Sequence, residues 1–166
     1  MSSYELTKEL RLEELVIQFC DNRLIWEPIL AGEKEPEYTR RVLLPQFETF
    51  VFELKDKQLA LAGDGAVVRP NPVIVGNGQS FYPDISISLF GNRTIAFEVK
   101  YLGENSYSGR LATAVGQAVV YATCGYRFSH AILVAESGFK TLPHEDRSRL
   151  NAGLNLLGVT LHFLGD

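Results

Sequence analysis

Cysteine is scarce in this chain: Cys20 and Cys124 are the only two in 166 residues, far apart and without metal-ligand spacing. That excludes a disulfide framework and a thiolate zinc cage, and the apolar helical setting of each predicts a reduced core thiol in a cytoplasmic protein. No run of 18 charge-free apolar residues occurs, so no membrane span is expected, and the acidic, amphipathic N-terminus lacks the pattern of a signal peptide. Phosphate-cradling glycine loops are missing: Gly63-Asp64-Gly65 has no lysine or helix signal after it, and no dinucleotide fingerprint is present. Ser86 and Ser88 lie in a strand-like run without the sharp turn that presents a serine nucleophile. There is no internal repeat, heptad array, low-complexity tract or dividing linker. Basic charge is in deficit too: 16 Lys and Arg against 20 Asp and Glu leave a net charge of −4. A protein that grips a phosphate backbone usually displays a basic surface.

What is present describes an ordinary globular chain, 46% apolar and 22% charged. Its length fits one domain, 1–166, with an N-terminal helical part over 1–62 and an α/β core over 63–166. The charge deficit is uneven. Residues 1–99 carry 10 basic and 15 acidic side chains, and residues 100–165 carry 6 and 4.

The chain is organised around the stretch from Phe81 to Tyr121. Two strand-like runs carry Asp84, then Glu98 and Lys100, and a helix-like run follows with Gln117 and Tyr121. Side chains at i and i+2 of a strand share a face, so Glu98 and Lys100 point one way and Phe97, Val99 and Tyr101 the other. Asp84 likewise shares a face with Tyr82, Ser86 and Ser88, opposite Ile85, Ile87 and Leu89. Gly91-Asn92 signals a tight turn, which predicts a hairpin that brings Asp84 beside Glu98 with Lys100 one pleat further along. Two carboxylates from different strands suit a hard, oxygen-seeking ion such as Mg2+ or Mn2+. With no thiol or imidazole between Asp84 and Lys100, zinc is disfavoured. A structural reading competes: Asp84 as a strand start, and Glu98 and Lys100 as the solvated face of an antiparallel strand.

Pro83-Asp84 followed by Glu98-Val99-Lys100 resembles the signature of the PD-(D/E)xK, restriction-endonuclease-like nuclease superfamily. Gln117-Ala118-Val119-Val120-Tyr121 is similar to the Q-x-x-x-Y helix element of its RecB-type branch. The resemblance covers about 55 residues, Phe81 to Ala135, with thirteen residues between Asp84 and Glu98. It implies metal-dependent hydrolysis of a nucleic-acid backbone, with Asp84, Glu98 and the backbone carbonyl of Val99 as metal ligands and Lys100 as the catalytic lysine. Many members carry a further acid on the helix before the first strand, and Glu48 is the candidate for it here.

In chain order, residues Tyr4 to Cys20 read as an amphipathic helix and Asn22 to Glu37 as a peripheral loop or broken helix. A second helix is expected from Pro36 or Thr39 to Leu61, with Pro45 as a kink or a true start, and Arg40 and Arg41 either approaching phosphate or solvated. Ala66 to Val75 reads as one strand interrupted by Pro70 and Pro72, hence at an edge. In the helix from Ser108 to Cys124, Arg110, Ala114, Gln117 and Tyr121 form one polar stripe, either facing a substrate phosphate or solvated. Leu111, Val115, Ala118, Val119 and Ala122 are expected to pack on the sheet. Ser129 to Ala135 should run parallel to the Glu98 strand after a right-handed crossover, followed by a helix over Pro143 to Leu156 and a strand over Val159 to Leu164. His130 reads as structural.

The expected fold is α/β: a mixed central sheet flanked by helices, restriction-endonuclease-like, with extra N-terminal helices. The expected function is a Mg2+- or Mn2+-dependent endonuclease on DNA in preference to RNA, whose affinity is aided by dimerisation or a partner subunit. The alternative is a nuclease-fold DNA-binding or assembly subunit without catalysis.

Overall fold

The computed structural model describes residues 3–56, 66–68, 73–75, 78–89, 91–103 and 107–165. Helix α1 spans Ser3–Asn22, and a loop leads to the short α2, Glu35–Tyr38. A π-helical turn, Thr39–Leu43, joins α2 to α3, Leu44–Asp56. Strands β1 (Val67–Val68), β2 (Val73–Val75), β3 (Gln79–Phe81), β4 (Ile85–Leu89) and β5 (Asn92–Leu102) come next. The chain ends with α4 (Tyr107–Cys124), β6 (Phe128–Ala135), α5 (His144–Asn155) and β7 (Val159–Leu164). Five strands form one mixed sheet in the order β1-β4-β5-β6-β7; β2 and β3 form a separate pair. Among the described residues no helix is long and apolar enough to cross a membrane. The boundary expected at 62/63 and the turn residues Gly76 and Asn77 lie outside the described residues.

The π-helical turn reflects Pro45, which has no N–H to give the carbonyl four residues back. One extra residue per turn accommodates it, with Leu44 N–H donating to Thr39 O. Gln46 Nε2 then reaches back to Val42 O at 2.7 Å. The same amide clamps the preceding loop, accepting from Ile25 N–H at 2.8 Å and donating to Ile25 O at 3.1 Å. That loop is no peripheral addition. Arg41, entertained above as a phosphate contact, instead binds Glu27 and Glu33, each at 2.6 Å, and Tyr38 packs edge-to-face on Tyr101.

The hairpin β4–β5 forms as expected: Leu89 faces Asn92, and Gly91 at φ +81° takes a backbone region that side chains disfavour. Strands β6 and β7 run parallel to β5 and to each other. The expected strand over Ala66 to Val75 divides between two sheets, β1 at the edge beside β4 and β2 with β3. Two prolines between them cannot donate to a ladder.

Alternation along the sheet sorts two layers. Ile85, Ile87, Phe97, Val99 and Ile132 join Leu12, Val16, Phe19, Phe47 and Phe50 of α1 and α3 in one core. Leu102, Ala131, Leu133 and Leu161 face α4 and α5. Each such Leu, Ile, Val or Phe side chain contributes about 1.5–3 kcal/mol when fully buried. Cys20 is buried as expected; Cys124, at the end of α4, is exposed.

One polar chain crosses the first core. Asp21 Oδ1 lies 2.8 Å from His162 Nδ1, and His162 Nε2 lies 2.9 Å from His130 Nδ1. The carboxylate only accepts, so His162 donates to it from Nδ1. His130 Nε2 is buried and has no hydrogen-bond partner among the described residues. Protonating it would place an uncompensated charge against Phe97, and His130 is accordingly held well below the usual imidazole range, by burial first and by His162 second. Its folded pKa is depressed, so its contribution is fully present above an unfolded pKa of about 6.5 and is lost as pH falls below that. Thermal melts between pH 8 and 5 should show the midpoint falling below pH 6.5, with a flatter profile in His130→Leu; parallel profiles would refute the assignment.

Candidate active site

Strand β5 outruns its partner. Pro83, which has no N–H, precedes Asp84, and β4 begins only at Ile85, opposite Phe97. Strand β5 continues to Leu102. Residues of one parity turn both N–H and C=O to the same neighbour, so Val99 and Tyr101 present theirs to the edge that β4 leaves open. Orphaned N–H groups there need acceptors. Asp84 Oδ2 takes the Val99 N–H at 2.7 Å, and Glu35 Oε1 takes that of Tyr101 at 3.1 Å. Backbone pairing thus draws two carboxylates to the end of β5.

Between them stand Glu98 and Lys100, on one face as the alternation requires. Glu98 is only 2% exposed. Its Oε1 accepts from Lys100 Nζ, and its Oε2 lies 2.9 Å from the buried Tyr121 hydroxyl. Lys100 Nζ also donates to the Val99 carbonyl at 3.0 Å and sits 3.6 Å from Glu35 Oε2. Arg110 reaches from α4 to Glu35 Oε1. The result is an alternating row, Arg110, Glu35, Lys100, Glu98, with Asp84 alongside.

Burial dominates the electrostatics. It raises the Asp84 carboxyl against the opposing pull of the Val99 N–H and Lys100. It raises Glu98 as well, helped by the Asp84 charge and opposed by Lys100 and Tyr121. For Lys100 burial would lower the pKa, but Glu98, Glu35 and Asp84 outweigh it, so the ammonium is held above its usual range. All three groups are shifted upward in a partly desolvated niche, and perturbed groups of this kind cluster at functional sites as well as in structural ion-pair networks.

The expected residues fare unequally. Asp84, Glu98, Lys100, the Val99 carbonyl and Tyr121 come together. Tyr121 belongs to the line Ala114, Ala118 and Tyr121 that α4 buries against the sheet; Leu111, Val115, Val119 and Ala122 are half-buried and pack at its flank as expected, while Arg110 is exposed. Small alanines let α4 approach β5 closely enough for the phenol to reach Glu98. Gln117 is half-buried one turn earlier, and its amide makes no hydrogen bond among the described residues. Arg110 binds Glu35 in place of a phosphate. Glu48 is exposed on α3; the N-terminal acid that meets Lys100 is Glu35. An acid followed by proline marks a helix start, which was the available signal for Glu35, but only the tertiary fold carries it to β5.

Hard oxygen donors suit magnesium or manganese, and an ion that keeps most of its waters needs one or two carboxylates. Asp84 Oδ1, Glu98 and the Val99 carbonyl supply that set, and Asp84 Oδ1 has no hydrogen bond among the described residues. No group of three or more acidic, imidazole or thiol side chains arranged to hold an ion occurs among the described residues. A cavity of about 570 Å³ lined by Phe139, Lys140, His144 and Arg147 includes neither Asp84, Glu98 nor Lys100. No family model, curated protein or solved structure matches the chain.

Two substitutions probe the arrangement. Tyr121→Phe leaves Glu98 Oε2 buried without its partner and should cost about 1–3 kcal/mol in urea unfolding. Asp84→Asn keeps an acceptor for Val99 N–H while removing a charge that burial disfavours. Its melting midpoint should rise by roughly 2–4 °C, the shift about 1 kcal/mol produces at this size; a fall would contradict the electrostatic account.

Proposed function

We propose that the chain is a divalent-metal-dependent endonuclease hydrolysing phosphodiester bonds of DNA, built on a restriction-endonuclease-like core. The supporting observation is the convergence of Asp84, Glu98, Lys100 and Tyr121 at the open edge of β5. Asp84, Glu98 and the Val99 carbonyl would hold Mg2+ or Mn2+. Such an ion, when bound, polarises a phosphoryl oxygen and lowers the pKa of a coordinated water. Tyr121 fixes one Glu98 oxygen, so the carboxylate keeps its aim. The Lys100 ammonium stabilises negative charge that grows on the phosphoryl oxygens. Gln117, whose amide makes no hydrogen bond among the described residues, would meet the substrate backbone from the same helix. With a net charge of −4, affinity for DNA rests on the metal and on dimerisation or a partner subunit.

A second reading, a nuclease-fold DNA-binding or assembly subunit, draws on one observation: Glu35 already engages both cations, Lys100 and Arg110. Plasmid nicking in Mn2+ separates the two. The enzyme reading expects nicking that drops roughly 100- to 1,000-fold in Lys100→Ala, and Mn2+ binding by calorimetry that disappears in Asp84→Ala. Since both carboxyls titrate above their usual range and hold a cation only when ionised, the rate should fall as pH drops through those raised values. Nicking that is unchanged in Lys100→Ala would remove the catalytic reading.

A further inference from the structure

Lys100 Nζ makes the contacts of a bound cation. It touches Glu98 Oε1, lies 3.0 Å from the Val99 carbonyl and stands 3.6 Å from Glu35 Oε2. Two of those three oxygens are the ones the nuclease reading assigns to a divalent ion. An ammonium and a divalent ion cannot occupy them together, because the charges would repel at van der Waals range in a poorly solvated niche.

Resting on that nuclease reading, we propose that Lys100 is a placeholder cation: it fills the metal position in the free protein, and metal loading moves its ammonium onto Glu35. The need for a placeholder follows from burial. Glu98 is 2% exposed, with Asp84 beside it, and an ionised carboxylate left there alone would be costly. The receiving seat is already built. Glu35 Oε1 is anchored by Tyr101 N–H and by Arg110, which leaves Oε2 turned toward Lys100. Four methylenes let the ammonium travel the short distance without moving the strand. Glu35 thus acts through Lys100 as a positioning residue. It sends the ammonium to the side of the site away from Glu98, where a substrate phosphate can meet it. Metal and lysine are thereby coupled, so the ammonium is released only when the ion is in place.

Calorimetry with Mn2+ on the full chain tests this, with Asp84→Ala as the control that locates the binding site. Lys100→Met should bind roughly tenfold more tightly than wild type, as when a competent state populated about a tenth of the time becomes the only state. Glu35→Gln should bind about threefold more weakly, the size of a partly exposed ion pair. A second measurement needs no variant that might misfold: the side-chain 15N resonance of Lys100, assigned by its absence in Lys100→Met or by selective labelling, should shift on addition of Mg2+. Equal or weaker Mn2+ binding by a folded Lys100→Met, or an unmoved Lys100 resonance while wild type binds the ion, overturns the exchange and leaves the nuclease reading standing. Absence of binding in both wild type and Lys100→Met overturns both.

Discussion

A carboxylate almost sealed from water is the constraint around which the structure is arranged. Glu98 sits on the strand that holds the sheet together, paired on both sides, yet its side chain is charged. Such a group is tolerated only when each oxygen is matched, and here Lys100 takes one and Tyr121 the other. The small residues of α4, the late start of β4 and the reach of α2 all serve that match. An apolar residue of similar volume at 98 would make a simpler core.

The open edge of β5 shows how backbone chemistry builds a site before side-chain chemistry acts. A strand that runs past its neighbour exposes N–H groups that must find acceptors, and carboxylates are strong ones. Asp84 and Glu35 are drawn in by Val99 and Tyr101. Each keeps its second oxygen off the backbone, and Glu35 turns its own toward Lys100. The N-terminal helices therefore do more than cover the sheet. Arg41 ties the loop of Glu27 and Glu33 to the π-helical turn, Tyr38 packs on Tyr101, and Glu35 is thereby delivered to the strand end.

Much of this was legible in the residues, and the exceptions have physical causes. Period-two alternation placed Glu98 and Lys100 together and Phe97 and Val99 opposite, because pleating leaves a strand no other choice. Helical spacing set Arg110, Ala114, Gln117 and Tyr121 apart from the sheet-packing residues, yet Ala114 and Tyr121 are buried together with Ala118 and only Arg110 of that stripe is exposed. Glu48 lies on the helix before the first strand, as the resemblance asks, yet α3 packs Phe47 and Phe50 on α1 and the sheet and leaves Glu48 in solvent. Glu35 went unnoticed in a stretch read as loop, since one turn of helix has too few residues to show a period. The histidine chain was equally hidden: His130 and His162 lie 32 residues apart, and parallel neighbours meet only through the crossover between them.

By itself the sequence determined the local alternation, the hairpin and the chemistry available at Asp84, Glu98 and Lys100, because those depend on neighbours a few residues away. The tertiary structure alone decided which acid closes the row, which cation contacts which oxygen, and how deeply Glu98 is buried. Those are contacts between residues such as Glu35 and Lys100, or Tyr121 and Glu98, whose distance along the chain carries no information about their separation in space.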